Sequence, residues 1–296
     1  MNKENFTSKM SLAGAMVVFG TIGLFVRNIA MPSSVIAFIR GAVGTAFLVI
    51  FCRLTGKKFS FDKVKEKLLI LCLSGAAIGI NWIFLFEAYR YTTVATATLC
   101  YYMAPVFVIV MSSVIYKEKL TVKQICCTLA ALAGMVFVSG VTETGIGNIT
   151  EMKGIILGVL AAVFYSSVVL MNKSLGSVPA YDKTIVQLFG AAAVILPYCL
   201  ATVKVSDIGF DKKSVIMLAI VSIVHTGIAY TAYFGSMKNL QSQTIAIMSY
   251  IDPIVAIALS AVVLKEKMSV LSIVGAAMIL SATLLSEINL KRRNSR

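Results

Sequence analysis

The sequence predicts an all-α integral membrane protein whose ten transmembrane helices form two inverted five-helix repeats. The first observation behind this prediction is an apolar composition. Of the 296 residues, 58% are hydrophobic and 14% are charged, and the mean hydropathy is +0.89. Average soluble domains carry about 45–50% apolar and about 25% charged residues. A water-soluble chain of this length could not bury so much apolar surface, so a lipid bilayer is the expected solvent.

The second observation is the spacing of the apolar runs. A helix needs about 20 mostly apolar residues to cross the hydrocarbon core of a bilayer. Short connections separate the runs and leave no room for a soluble catalytic domain. The predicted spans are 10–27, 33–52, 68–86, 92–116, 124–142, 154–172, 184–203, 214–237, 240–264 and 268–287.

The third observation is a duplication. The segment from Pro105 to Lys119 reads PVFVIVMSSVIYKEK, and 148 residues later the segment from Pro253 to Lys267 reads PIVAIALSAVVLKEK. Each copy lies near the end of a five-span block, 11–142 or 152–287. Because five is odd, the second block is predicted to cross the membrane upside down relative to the first. Inverted repeats are typical of transporters, whose halves open a midplane site to alternate sides.

The positive charge predicts the orientation. The formal charge of +14 arises from 27 Lys and Arg against 13 Asp and Glu, and most of it falls between the apolar runs. About twice as many Lys and Arg residues lie on the side of the two termini as on the other, which places both termini and the basic tail 288–296 in the cytoplasm of a bacterial cell. Basic residues do not alternate with aromatic ones in a stripe, so nucleic acid is not an expected partner.

Other features have plain structural interpretations. The first apolar run has no convincing cleavage site and is expected to remain as a helix. The pairs Gly75/Gly79 and Gly154/Gly158 are expected to pack helices closely without deciding between monomer and homodimer. Neither a cofactor nor a metal is expected, because the cysteines lack metal-ligand spacing and are interpreted as packing residues. The cysteines are Cys52, Cys72, Cys100, Cys126, Cys127 and Cys199.

Several stretches resemble the EamA family of the drug/metabolite transporter superfamily. They are Ala37-Phe38-Ile39-Arg40, the run from Phe84 to Thr92, and the Pro105…Lys117-Glu118-Lys119-Leu120 stretch with its copy. The resemblance extends over about residues 11–287. It implies ten helices in two repeats around a central cavity, and export or exchange of small metabolites such as amino acids. It does not fix the substrate.

Four ionisable residues in or near the predicted spans are candidates for a functional site: Arg40, Glu87, His225 and Asp252. A charge deep in a span costs about 2.5–3.5 kcal/mol on insertion scales, so such groups normally face a cavity or a partner. Arg40 is interpreted either as a tether between helices or as a contact for a substrate anion. Glu87 is a further site candidate, although it lies near enough to water to be an ordinary interface residue.

Asp252 and His225 lie near midplane depth in adjacent predicted spans. An aspartate can bind an ammonium group or take up a proton, and histidine titrates close to neutral pH. The pair is predicted to form a cation-binding or proton-coupling element. A mutual ion pair with a structural role is the alternative.

Proline and aromatic residues surround these positions. Pro105 and Pro253 each remove a backbone hydrogen bond and are predicted to form a hinge or a cavity wall, with tight packing as the alternative. Aromatic and amide side chains nearby are candidates for lining an amphipathic substrate site: Asn81, Trp82, Tyr101, Tyr102 and Tyr250.

These features together predict a carrier of a small polar metabolite, with an amino acid or related amine as the expected substrate, by efflux or exchange. Protons are a possible second partner, because His225 and Asp252 make proton linkage chemically reasonable. Buried charges of both signs fit a zwitterion. A passive channel and an intramembrane enzyme acting on a lipid-linked substrate remain alternatives. The chain is not expected to be an enzyme, since no nucleotide, metal or nucleophile motif is present in the sequence.

Overall fold

The computed structural model describes residues 3–115, 117, 121–138, 149–237, 240, 248–249 and 251–288. Side chains are described in these ranges except at 3–5, 173, 237, 283 and 286–288. All regular elements in this part of the chain are helices, as the composition predicts.

The described residues of the first half form eight helices. They are α1 (Lys3–Gly20), α2 (Ile22–Arg27), α3 (Ser33–Leu54), α4 (Phe61–Glu66), α5 (Leu68–Tyr91), α6 (Val94–Tyr101), α7 (Ala104–Ile115) and α8 (Val122–Val138).

The second half continues the series, with a 3₁₀ turn at Val205–Asp207 and a π-helical segment at Val221–Ile228. Its helices are α9 (Ile149–Lys173), α10 (Ala180–Thr202), α11 (Lys212–Ile220), α12 (Ala229–Met237), α13 (Ile251–Val262) and α14 (Val270–Ile288).

Seven helical stretches of 22 to 25 residues in the described ranges are long and apolar enough to cross a membrane. Three shorter apolar helices, Val122–Val138, Ile251–Val262 and Val270–Ala282, overlap the remaining predicted runs. The protein is therefore a multi-pass membrane protein in contact with lipid, and the count of ten spans stays a prediction. Some helices extend beyond the predicted spans. For example, α5 continues to Tyr91 beyond the predicted end at 86, because no proline or glycine interrupts it there.

Local capping explains where some helices begin. The carboxylate of Asp211 accepts the backbone N–H of Ser214 at 2.9 Å, and α11 starts directly after this residue. The bonds to Ser214 hold the pKa of Asp211 below its ordinary value. Thr93 does the same for α6 by accepting the N–H of Thr96 at 3.0 Å. Such caps satisfy backbone donors that a helix start leaves free.

Two of the spans are interrupted. Between α1 and α2, the Thr21 hydroxyl donates to the carbonyl of Val18 at 2.7 Å. Between α6 and α7, the chain turns at Tyr102 and Met103. Pro105 therefore lies in the first turn of a new helix, where a missing N–H removes no helix bond. The helix hydrogen bond that Pro105 was predicted to remove is therefore not lost, because the helix breaks just before the proline.

A π-helical segment replaces α-helix at Val221–Ile228, between α11 and α12. The Thr226 hydroxyl donates to the carbonyl of Val221, five residues earlier, at 3.2 Å. Turns of this kind are rare and occur frequently at functional sites. His225 and Thr226 both lie on this segment.

Helices of one half pack largely against helices of the other. Extensive contacts join α5 to α9 and α10, α3 to α10 and the π segment, α1 to α12 and α13, α6 to α9 and α13, and α8 to α14. If each helix is replaced by the helix at the same place in the other half, the same set of contacting pairs results. For example, the α5–α9 pair becomes the α12–α1 pair, and the pair of α3 with the π segment becomes the α10–α5 pair.

The small-residue pairs pack helices, as the sequence predicts. A Cβ at Gly75 would lie 2.7 Å from the backbone oxygen of Gln187 in α10, and one at Gly79 would lie 2.9 Å from the Ile195 side chain. A Cβ at Gly154 would lie 2.8 Å from the side chain of Thr92, which follows α5, and one at Gly158 would lie 2.9 Å from Cβ of Cys100 in α6.

The ends of the two duplicated segments share an unusual backbone conformation. Lys117 and Lys265 both have φ 53°, a left-handed conformation that is uncommon for residues other than glycine. The next residue in the second loop, Glu266, forms an ion pair with Arg27 and accepts the backbone N–H of Val94 at 3.0 Å. This loop thereby ties α2, α6 and α13 together at one end of the bundle.

Candidate substrate site between the halves

Arg40 lies a third of the way along α3 and is 5% exposed. Its Nε donates to the Thr226 hydroxyl of the π segment at 2.7 Å. The guanidinium carbon lies 4.2 Å from the centre of the Trp82 ring and 5.7 Å from that of Phe86. These distances fall within the range of cation–π attraction, so α5 supplies an aromatic surface under the charge.

The charge of Arg40 has no carboxylate partner in the described part of the chain. The ion pairs found there join Arg27 to Glu266 and Arg90 to Glu87. A buried charge without a partner is unfavourable by several kcal/mol even after the protein relaxes. The site is therefore electrostatically suited to an anion.

Asp252 lies in the first turn of α13, immediately before Pro253, and is half-buried. The hydroxyl of Tyr102, at the α6–α7 break, lies beside this carboxylate. The ring of Tyr101 lies 6.1 Å from that of Tyr102 and 5.4 Å from that of Tyr165 in α9. The break before Pro105 thus turns two tyrosines toward the only carboxylate that the described residues place in this cluster.

His225 is almost fully buried, with 1% exposure. Its Nε2 lies 2.8 Å from the Thr21 hydroxyl, and its Nδ1 lies 3.4 Å from the carbonyl of Ile220. The Phe25 ring packs edge-on at 5.1 Å. Neither nitrogen is bonded to Asp252, so the mutual ion pair considered from the sequence is not formed in the described residues.

The break in the first span connects His225 with Asp252 indirectly. Thr21 contacts the imidazole, and the preceding residue, Gly20, lies against α13. A Cβ at Gly20 would lie only 2.6 Å from the backbone oxygen of Asp252 and 2.7 Å from Cβ of Val255. The two ionisable groups therefore lie on either side of the α1–α2 junction.

Tyr89 and Tyr101 lie within electrostatic range of both Arg40 and Asp252. Tyr101 also neighbours Tyr230, so its surroundings come from helices of both halves. Even so, Tyr101 is half-buried rather than fully buried.

The remaining predicted site residues have other positions. The amide of Asn81 donates to the carbonyl of Ala161 at 2.6 Å and ties α5 to α9. Glu87 accepts the Ser33 hydroxyl at 2.7 Å and lies 3.9 Å from Nε of Arg90, which fits an interface residue. Tyr250 lies outside the described residues.

Thr226, Thr21 and Tyr89 belong to this cluster but were not predicted. Threonine and tyrosine are common in spans, and π-helical hydrogen bonding has no recognised sequence pattern. No group of three or more His, Cys, Asp or Glu suited to a metal ion is found in the described ranges.

Comparison with known proteins identifies the family. The EamA-like transporter family model matches residues 9–140 and again residues 152–287. The chain belongs to the EamA-like transporter family. The resemblance in the sequence motifs is thereby confirmed.

Named relatives agree with this assignment. A Bacillus subtilis (strain 168) protein named "Uncharacterized transporter YxxF" is 31% identical over 264 residues, covering 88% of this chain and 83% of that protein. The "Aromatic amino acid exporter YddG" of Ancylobacter novellus is 25% identical over 183 residues, 62% of each chain. A crystal structure of a protein with 18% sequence identity matches the fold with a TM-score of 0.67 over 97% of this chain and 99% of its own.

Proposed function

We propose that this EamA-family protein carries an amino acid or a related amine across the bacterial plasma membrane, by efflux or exchange and without chemical change to the substrate. The observation that supports this proposal most directly is the proximity of Asp252 to Tyr102. A half-buried carboxylate deep in the bundle, facing tyrosines from neighbouring spans, is suited to an ammonium group. One relative is named an aromatic amino acid exporter, which fits the aromatic surroundings.

Tyr102 orients the carboxylate in this proposal, and Tyr101 offers a ring face to a cation. Trp82 contributes to the wall on the opposite side. Asn81 and Glu87 support the helices rather than bind substrate, since their hydrogen-bond partners are structural.

Alternating access is the proposed mechanism, with the two halves as five-helix units of opposite orientation. Three observations support it: the exchangeable helix contacts, the duplicated sequence, and the matching φ angles of Lys117 and Lys265. Pro105 and Pro253 would lie at the positions where the halves flex. Both termini are proposed to be cytoplasmic, and the oligomeric state to be monomer or homodimer.

Counterflow in proteoliposomes tests this proposal. Vesicles loaded with an unlabelled amino acid or amine should accumulate the labelled compound, with saturable initial rates. Asp252→Asn should reduce the rate at subsaturating substrate by about 10- to 100-fold, because a charge-assisted bond contributes about 1.5–3 kcal/mol. Tyr102→Phe, which keeps the carboxylate, should reduce it less.

Other outcomes would identify the alternatives. Flux that rises linearly with concentration, without counterflow, would indicate a channel. A chemically altered product would indicate an enzyme. Either result would overturn the carrier proposal.

A further inference from the structure

Arg40 has a counterpart in the second half that explains part of its role. Pro32 and Pro179 precede α3 and α10 with nearly equal backbone angles, φ −55° and ψ 142° against φ −56° and ψ 143°. Arg40 is the eighth residue of α3, and Gln187 is the eighth residue of α10. The two side chains therefore occupy equivalent places in their helices.

Both side chains tie their helix to an equivalent neighbour. Gln187 Nε2 donates to the Ser74 hydroxyl of α5 at 2.8 Å, and Arg40 Nε donates to the Thr226 hydroxyl of the π segment at 2.7 Å. These two helix pairs exchange when the halves are exchanged. Gln187 also donates to Oδ1 of Asn172 at 2.8 Å. A neutral amide is therefore sufficient for the tether.

The charge of Arg40 is not needed for that tether. Its Nε alone makes the bond to Thr226, and its two terminal nitrogens form no hydrogen bond with any side chain or carbonyl that the structure describes. Stacking on Trp82 offsets part of the cost of burying the guanidinium, but a neutral residue would avoid that cost altogether. The terminal nitrogens are positioned as a fork that matches a carboxylate.

We propose that Arg40 binds the carboxylate of the transported molecule, so that the substrate is a zwitterion with an ammonium and a carboxylate group, and not a simple amine. This inference rests on the proposed function. Arg40 and Asp252 share Tyr89 and Tyr101 as neighbours without pairing with each other. One small molecule with both charges can therefore contact both residues, with the tyrosine hydroxyls beside it.

The test compares matched compounds on purified protein by thermal shift and by binding titration. Each standard L-amino acid is measured beside its carboxamide and its decarboxylated amine. In the parent protein, at least one amino acid should bind about 10- to 100-fold more tightly than its carboxamide and its amine, because the latter two leave the buried guanidinium unpaired.

Two variants separate charge from tether. Arg40→Gln reproduces the arrangement of Gln187, so it should fold and should lose the preference for the carboxylate. Thr226→Val removes the tether but keeps the charge, so its thermal stability should fall while its preference for the amino acid over the amide remains. If Arg40→Gln fails to fold, the comparison of acid with amide in the parent protein still decides the proposal.

The results that would contradict this inference differ from those that would contradict the proposed function. Equal binding of acid, amide and amine by the parent, or an unchanged preference in a folded Arg40→Gln, would overturn the role of Arg40. If amines still bind and Asp252→Asn abolishes their binding, the proposed function stands while this inference fails. If no amino acid and no amine binds, both fail.

Discussion

At the scale of single residues, the candidate site combines an arginine and an aspartate that do not neutralise each other. Arg40 stacks on Trp82, and Asp252 lies beside the Tyr102 hydroxyl. In lipid, ionisable side chains are usually paired or face water-filled cavities. A functional role therefore explains the separation of the two charges better than a contribution to stability does.

His225 offers a prediction at the same scale. Its Nε2 lies 2.8 Å from the Thr21 hydroxyl, and Thr21 follows the glycine that packs on Asp252. Protonation of the imidazole would add a positive charge beside the α1–α2 junction, within electrostatic range of Arg40. We therefore propose that His225 links transport to protons. Exchange by the parent should depend on pH, because the imidazole can gain and lose a proton, and His225→Ala should flatten that profile.

Phe25→Leu is a suitable control for this experiment, because it alters the packing on the imidazole but not its chemistry. Initial rates are measured at each pH with equal amounts of reconstituted protein. An unchanged pH profile in His225→Ala would remove His225 from any coupling role and leave the carrier proposal intact.

At the scale of elements, the crossing of α1 and α13 depends on the absence of a side chain at Gly20. A Cβ there would lie 2.6 Å from the Asp252 backbone oxygen, closer than real atoms approach. Gly14, in the same helix, faces open space, and a Cβ on it would have no atom of a neighbour within 4 Å. The two glycines therefore form a matched pair.

Gly20→Ala should lower the free energy of unfolding by about 1–3 kcal/mol, as overpacking generally does. Gly14→Ala should leave it unchanged or raise it by up to about 1 kcal/mol, because alanine favours the helix. Reversible unfolding in detergent with added denaturant measures both. Equal stability of the two variants would contradict the close crossing, and Gly20→Ala should also slow exchange because Asp252 would shift.

The sequence predicts some of these features better than others. Spans such as Ser33–Leu54 follow from apolar length alone, and Arg40 and Asp252 are identifiable because charge is costly in lipid. The break at Tyr102 and the π segment around Thr226 could not be predicted, since both depend on how neighbouring helices satisfy backbone groups. Gly20 was missed because a glycine in a span gives no indication of which helix it meets.

At the scale of the whole molecule, two loops lie on the same face of the membrane when an even number of spans separates them, and on opposite faces when the number is odd. Lys117 and Lys265 have the same φ of 53° and occupy equivalent places in the duplication. If each half has five spans, these lysines lie on opposite faces of the membrane. Both are exposed, so single cysteines at these positions can be labelled.

Lys117→Cys and Lys265→Cys, each in a background without native cysteines, should react with an impermeant maleimide from opposite sides of the membrane. Lys57→Cys, in the loop after α3, should react from the same side as Lys117→Cys. Labelling of intact cells and of inverted vesicles measures this. Reaction of positions 117 and 265 from one side would contradict the inverted arrangement and, with it, alternating access.

Arg40 is charged, whereas its counterpart in the second half, Gln187, is neutral. This difference has an energetic consequence for the cell. A cargo that satisfies both Arg40 and Asp252 has no net charge, so its passage by itself moves no current. Membrane voltage should then neither drive nor oppose uncoupled exchange, and only the concentration gradient would set its direction. A dependence on voltage would instead reveal that an additional ion travels with each molecule.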